Sequence, residues 1–143
     1  MNRKKIFVGL LGAVLVALFA STSVKAQAGF KFEGDAPNVQ AAADGKFTMT
    51  FTVKNLSSTT NSVLASTGPS ACVNVTDPAI VGDSNVPVDG GDTQSFEVSG
   101  TLTDLTKDGK VTLTIVYQKD GKAFERRQTG TVKKPDKRPQ RNR

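Results

Sequence analysis

The chain has 143 residues, a formal net charge of +6, one cysteine and no histidine. Without histidine the commonest general base is missing, and zinc or copper sites lack their usual ligands. The composition therefore predicts a chain that is not an enzyme and holds no cofactor, and its single cysteine excludes an intramolecular disulfide.

The N-terminus is predicted to be a secretory signal peptide, residues 1–26. The basic "MNRKK" precedes "IFVGLLGAVLVALFA", an uncharged apolar run, and a polar stretch follows. The apolar run is shorter than the ~18–20 residues that span a bilayer. Val24 and Ala26 are small enough for a signal peptidase, so we expect cleavage after Ala26, with cleavage after Ala28 as the alternative.

The mature chain would then be secreted or periplasmic, with one domain by size and no membrane span. A lipid anchor would need a cysteine at the cleavage point, whereas Cys72 lies far downstream. We interpret Cys72 as a small buried apolar side chain, and an intermolecular disulfide is the alternative.

After the signal peptide the hydrophobic period is two, which is typical of strands. "GFKFEG" is a possible first strand, "KFTMTFTVK" alternates cleanly, "SVLAS" is weaker, and "CVNVT" places Val73 and Val75 together. "TQSFEVSGTLT" and "KVTLTIVYQ" also alternate, and "AFERRQTGTV" is a weak last candidate. The residues predicted to face the core in the three clearest strands are Phe47, Met49, Phe51, Val53, Phe96, Val98, Leu102, Val111, Leu113, Ile115 and Tyr117.

Asp-Gly pairs lie between these predicted strands. The motif "KDGK" occurs twice, at 107–110 and 119–122, with a looser "ADGK" at 43–46. Aspartate tolerates turn geometry, and glycine takes positive φ without a Cβ clash. The second "KDGK" separates two strand candidates and therefore predicts a β-hairpin turn. The first is predicted to end one segment and start the next strand.

About seven short strands joined by Gly, Pro and Asp loops predict an all-β fold for residues 27–131. An immunoglobulin-like antiparallel β-sandwich is favoured, with a small barrel as the alternative.

Three stretches, "FTMTFTVKNLSSTTNSV", "VPVDGGDTQSFEVSGTL" and "DGKVTLTIVYQKDG", resemble the bacterial immunoglobulin-like modules of the CARDB and NEW3 kind. Asn55 follows the first strand, Pro87 and Gly91 lie at the later apolar-Pro step, and Gly109 leads the next strand. The resemblance implies a β-sandwich with an adhesion, binding or spacer role. Because it and the signal peptide both look bacterial, the glycosylation sequons at Asn55 and Asn74 are interpreted as coincidental.

Residues 77–92 form an acidic stretch, with Asp77, Asp83, Asp89, Asp92 and the amide of Asn85. Calcium binds six to eight oxygens, often from Asp-rich loops. The spacing is not that of an EF-hand, and two prolines interrupt it. A calcium- or ligand-binding module is therefore the alternative function, and no metal ligand is assigned.

The last twelve residues, 132–143, carry a net charge of +5, against −3 for residues 27–131. We expect a disordered basic tail, because it has two prolines and too little apolar surface to fold. It carries the predicted binding residues, six cations that suit an anionic partner: Lys133, Lys134, Lys137, Arg138, Arg141 and Arg143.

These features together predict a small exported, non-catalytic binding or assembly accessory. Its partner would be a protein or an anionic cell surface, reached through a strand edge, the end loops or the tail. Nucleic acid is an unlikely partner, because no aromatic residue is interleaved with the cations of the tail. A small secreted inhibitor is a further alternative.

Overall fold

The computed structural model describes residues 29–136, which form two β-sheets packed face to face. The predicted signal peptide, 1–26, and tail residues 137–143 lie outside the described residues. None of the described residues forms a helix long and apolar enough to cross a bilayer.

The described chain has ten strands and one short 3-10 turn. In chain order they are β1 (Phe30–Phe32), β2 (Asn38–Gln40), β3 (Lys46–Asn55), β4 (Asn61–Ser66), the 3-10 turn (Pro69–Ala71), β5 (Cys72–Val73), β6 (Val75–Val81), β7 (Asn85–Val88), β8 (Thr93–Leu102), β9 (Gly109–Lys119) and β10 (Lys122–Lys133). One sheet has the order β1-β3-β8-β6. The other has the order β2-β10-β9-β4-β7, with β5 also paired to β9.

All strand pairs in the two sheets are antiparallel except β2 with β10, which is parallel. The predicted all-β sandwich is confirmed. The sequence does not predict β2 or β7, because β2 has one apolar residue among three and β7 contains Pro87.

The core lies between the sheets and is built from alternate residues of the long strands. Every residue predicted to face the core in β3, β8 and β9 is at most 6% exposed. The prediction for "CVNVT" is wrong in part: Val75 is buried, whereas Val73 is 60% exposed. Asn74 between them has a φ of 58°, which breaks the alternation of the strand, so the two valines do not share a face.

The second "KDGK" is the predicted hairpin turn. Asp120 and Gly121 have φ values of 54° and 75° and lie between the paired residues Lys119 and Lys122. Two central residues with positive φ define a type I′ turn, whose twist matches that of the strands it joins.

The first "KDGK" has a different structure, although it does start a strand as predicted. Gly109 opens β9 and does not have positive φ. A Cβ at Gly109 would lie 2.7 Å from Cδ2 of Leu102 and 3.0 Å from the carbonyl oxygen of Val73. Close packing therefore requires glycine at position 109. The two copies of the motif have the same sequence but different backbone conformations.

Strand β10 continues two residues past the predicted domain boundary at Thr131. Val132 is fully buried in the core, and Lys133 pairs with Gln40 of β2. The first two residues of the predicted tail therefore belong to the folded sandwich, because Val132 continues the inward alternation of the strand.

Candidate interaction edge

Strand β10 lies at the edge of its sheet over most of its length. β2 covers it only at Thr131, Val132 and Lys133. Among residues 29–136, no strand pairs with the outer side of Lys122–Thr129. We call this stretch the open edge.

Backbone groups of alternate residues point out of the open edge. The N–H of Thr131 donates to the Pro37 carbonyl, and the Lys133 carbonyl accepts from the N–H of Ala41, both at 2.9 Å. Odd-numbered residues at this end therefore direct their backbone groups away from β9. Because the register with β9 is unbroken along β10, the same alternation exposes the backbone N–H and C=O of Ala123, Glu125, Arg127 and Thr129.

The strands on the opposite side of the sandwich are protected by backbone irregularities. β6 has a register shift between Thr76 and Ala79, where Asp77 has a φ of 55° and Pro78 has no N–H. β7 has four residues, one of which is Pro87. Proline, bulges and shortness are the usual means of preventing strand addition. The open edge of β10 has no proline and no bulge.

Charged side chains lie on both faces of the open edge. On the outer face Arg127 forms an ion pair with Glu125, whose side chains are 66% and 45% exposed. Such an exposed pair contributes little to stability, about 0–1 kcal/mol. Arg126 projects from the opposite face, where its Nε donates to the Tyr117 hydroxyl oxygen at 3.4 Å.

An aromatic row leads from the core to the open edge. The Phe30 and Tyr117 ring centroids are 5.2 Å apart, and Phe124 stacks on Tyr117 at 5.8 Å with 22° between the planes. Phe30 is fully buried, whereas Phe124 is 40% exposed. The ammonium of Lys119 lies 6.0 Å from the centre of the Phe124 ring. The row ends in a half-exposed ring at the edge of the sheet.

Charge is divided along the chain at the start of β10. Residues 29–121 contain six lysines and eleven carboxylates, a net charge of −5, whereas residues 122–143 contain nine cations and two carboxylates, a net charge of +7. The open edge is thus the cationic part of an otherwise acidic sandwich.

Of the six predicted tail cations, Lys133 and Lys134 are described, and Lys137, Arg138, Arg141 and Arg143 lie outside the described residues. Lys133 and Lys134 are both exposed. The backbone N–H of Lys134 donates to Oδ1 of Asp108 at 2.9 Å. This hydrogen bond, with the nearby lysine charges, lowers the pKa of the Asp108 carboxyl below its ordinary value.

A shallow depression of about 580 Å³ adjoins these lysines. It is lined by Asn38, Val39, Gln40, Asp108 and residues 133–136. Carboxylates and ammonium groups share its rim, so this depression is not a purely cationic surface.

The acidic stretch 77–92 does not fold into one cluster. Among residues 29–136, no three His, Cys, Asp or Glu side chains come together so that they could hold a metal ion. Asp89 accepts a hydrogen bond from the Thr60 hydroxyl at 2.9 Å, and Asp77 lies in the β6 bulge. The calcium alternative therefore has no support in the described geometry.

Both sequon asparagines are used by the fold. Asn55 is fully buried, and its Nδ2 donates to the carbonyls of Val88 at 2.8 Å and Thr59 at 3.0 Å. Its Oδ1 accepts from the N–H and hydroxyl of Ser57. Asn74 likewise spans a loop, with Nδ2 donating to the Asp104 carbonyl and Oδ1 accepting from the Asp104 N–H. Their amide groups are already engaged within the protein.

The sequence alone does not identify the open edge as a site. "AFERRQTGTV" is a weak strand candidate because Arg126 and Gln128 occupy inward positions, so neither face is apolar. The available signal is a long strand without proline that carries arginine on both faces. Edge position depends on sheet order, which is a property of the whole fold.

No protein-family model matches this sequence, and no curated protein matches it. Solved structures do share its fold. PapD-like domain 7 of human CEP192 matches with a TM-score of 0.60 and 6% identity, over 90% of this chain and all of that one. The E. coli chaperone DraB matches with a TM-score of 0.52 and 10% identity, over 75% of this chain. The Vibrio cholerae VesB protease matches with a TM-score of 0.51 and 15% identity, over 76% of this chain.

The chain spans 55% of DraB and 32% of VesB. At these identities the likeness shows the fold alone. It confirms the predicted immunoglobulin-like β-sandwich, and the narrower resemblance to CARDB and NEW3 modules stays a prediction.

Proposed function

We propose that this chain is an exported, non-catalytic accessory protein that binds an extended segment of a partner protein as an added strand on the open edge. The observation that carries the proposal is the uninterrupted row of outward backbone groups on β10, next to a half-exposed aromatic ring. Export follows from the predicted signal peptide and is part of the proposal.

Strand addition suits this edge physically. Main-chain hydrogen bonds along the edge supply affinity, and side chains that alternate between the two faces supply specificity. Ala123, Glu125, Arg127 and Thr129 offer four N–H and four C=O groups in one row. The sandwich itself is closed by a well-packed core, so the edge is presented on a rigid support.

The chemistry of the chain also supports a binding role over catalysis. It has no histidine, and the acidic residues of the described part form no cluster of three that could hold a metal. The E. coli chaperone DraB shares the fold, and an assembly role for this chain extends that likeness as a proposal.

A second candidate function is electrostatic attachment through the tail cations, Lys133 to Arg143. The +7 charge of residues 122–143 favours it. Attachment of this kind weakens steeply with salt, because exposed charges are screened beyond ~10 Å at 0.1 M salt. A chain ending at Asp136 keeps β10 complete and removes most of these cations, so it separates tail binding from edge binding.

The proposed function is tested by capture of partners from the host's envelope fraction with residues 27–143. Glu125→Pro removes one outward N–H without breaking a bond to β9, because that N–H points away from β9. Glu125→Ala is the matched control, which loses the carboxylate and keeps the N–H. We expect Glu125→Pro to lose a partner that Glu125→Ala retains at high salt. Equal capture by both variants would contradict binding at the open edge.

Export is tested on the protein recovered from the host. We expect it outside the cytoplasm with Gln27 or Gly29 as its first residue, measured by intact mass. A cytoplasmic protein that begins at Met1 would contradict export and leave the edge proposal intact.

A further inference from the structure

We infer that the open edge selects an acidic extended segment, aligned antiparallel to β10, with two consecutive carboxylates, one spacer residue and then an apolar residue. This inference rests on the proposed function, since it names the chemistry of the strand that the edge would take. It is carried by the order of side chains along β10 and by the position of each on one face or the other.

The face of each edge residue is set by its partner on β9. Phe124 lies opposite Tyr117 and Arg126 opposite Ile115, and both of these β9 residues face the core. Phe124 and Arg126 therefore lie on the inner face. Glu125 and Arg127 alternate with them and lie on the outer face.

An added strand places each of its side chains on the same face as the edge residue directly opposite. A carboxylate opposite Arg127 would lie on the outer face, and the next residue, opposite Arg126, would lie on the inner face. Two consecutive acidic residues can therefore each reach a guanidinium, which binds carboxylates through paired hydrogen bonds.

The following two positions select differently. The residue opposite Glu125 would face a carboxylate, so an acid there is disfavoured by like charge. The residue opposite Phe124 would cover a ring that is 40% exposed, so an apolar side chain is favoured. An antiparallel strand reads these positions in the order acid, acid, spacer, apolar, and antiparallel pairing is the slightly more stable arrangement.

A second copy of the chain matches this pattern less well. In a symmetric antiparallel pair of β10 strands with Glu125 opposite the partner's Arg127, the outer face is complementary. On the inner face, however, Arg126 would lie opposite the partner's Arg126 and Phe124 opposite the partner's Gln128. Like charges directly opposite are destabilising, so the geometry favours an acidic segment of another protein.

The inference is tested by titrating ¹⁵N-labelled residues 27–143 with three capped octapeptides of equal length. "TTEETVTE" places its first two glutamates opposite Arg127 and Arg126 and its valine opposite Phe124. "TTTVEETE" has the same composition with the glutamates moved opposite Glu125 and Phe124. "TTKKTVTK" replaces every carboxylate by an ammonium. The readout is the change in the amide shifts of Ala123, Glu125, Arg127 and Thr129.

We expect "TTEETVTE" to bind at least fivefold more tightly than "TTTVEETE", and "TTKKTVTK" to show no binding. The affinity of "TTEETVTE" should fall about fivefold in the double variant Arg126→Gln/Arg127→Gln, as expected for two exposed charge pairs. The matched control Lys46→Gln/Lys107→Gln removes the same charge from exposed positions away from β10 and should leave the affinity unchanged.

Several outcomes would overturn the inference. Equal affinity for "TTEETVTE" and "TTTVEETE", or stronger binding of "TTKKTVTK", would leave strand addition at the edge intact and remove the acidic selectivity. Concentration-dependent changes of the same amide shifts without peptide would assign the edge to a second copy. Absence of binding by all three peptides would overturn the inference alone, because partner capture by Glu125→Pro and Glu125→Ala tests the proposed function independently.

Discussion

The edge strands on the two sides of the sandwich are protected against the addition of another strand by different means. On one side, β6 and β7 are interrupted by a bulge, by Pro78 and by Pro87. On the other side, β10 pairs with β9 without interruption, and β2 covers only its end. Charged side chains are the remaining obstacle to strand addition at the open edge. A charge barrier can be lifted by a partner of opposite charge, whereas a proline or a bulge cannot.

The largest effect is expected from removing the charge barrier. Replacing Lys122, Arg126 and Arg127 by threonine leaves a strand-forming edge without proline, on which Glu125 is the remaining charged side chain. We expect this variant to self-associate, with a dimer dissociation constant at least tenfold below that of the wild type. The measurement is sedimentation velocity over a range of concentrations.

The matched control for this variant replaces Lys31, Lys46 and Lys107 by threonine. It removes the same net charge from exposed positions and leaves the open edge unchanged. Association of both triple variants to the same extent would show that net charge, and not the edge, limits self-association.

The next largest effect is a loss of stability, expected when Asn55, which binds the last residue of β7, is replaced. Asn55→Ala removes a fully buried amide that holds the Val88 carbonyl and the 55–60 turn. Leaving these groups unpaired should lower the free energy of unfolding by about 3 kcal/mol. Asn55→Asp, which keeps the acceptor for Ser57 and loses both donor bonds, should also be destabilised. A loss below about 1 kcal/mol in urea unfolding would contradict the structural role of Asn55.

Two C-terminal truncations locate the boundary between the covered end of β10 and the tail. A chain ending at Thr131 loses the buried Val132 and most of the pairing with β2, so we expect it to lose about 2 kcal/mol of stability. A chain ending at Asp136 should unfold at the same denaturant concentration as the full-length mature protein. Equal midpoints for both truncations would place Val132 outside the core.

The smallest expected effect is the stability cost of replacing a glycine in the "KDGK" copies, and it differs between the two. Gly121 has positive φ and open space around it, so Gly121→Ala should cost about 1 kcal/mol and Gly121→Asn less. Gly109→Ala should cost more, since its Cβ would clash with Leu102 and the Val73 backbone. The reverse order in thermal or urea unfolding would contradict the assigned roles.

The sequence predicts most of the core, because β3, β8 and β9 are long enough to show a clean period of two. It predicts the β-hairpin turn at 119–122, where local residues decide the geometry. It does not predict that Val73 is exposed, since a single left-handed residue, Asn74, reverses the alternation. The short strand β2 has β10 as its sheet neighbour among the described strands, so its formation depends on residues far away in the sequence.

The candidate site is less accessible to sequence reasoning than the core. The binding role of the tail cations stays a prediction, since four of the six lie outside the described residues. The acidic stretch 77–92 looks like one loop in the sequence, yet β6 and β7 lie in different sheets and separate its carboxylates. The open edge follows from sheet order, which depends on which strands meet and not on any local pattern.

The most direct test of the open edge is amide hydrogen exchange of residues 27–143 at single-residue resolution. We expect fast exchange at Ala123, Glu125, Arg127 and Thr129, and protection at Phe124, Arg126 and Gln128, whose N–H groups face β9. Thr131 should be protected by Pro37. Protection of Glu125 and Arg127 in the free monomer would show that the edge is already covered and would contradict the account.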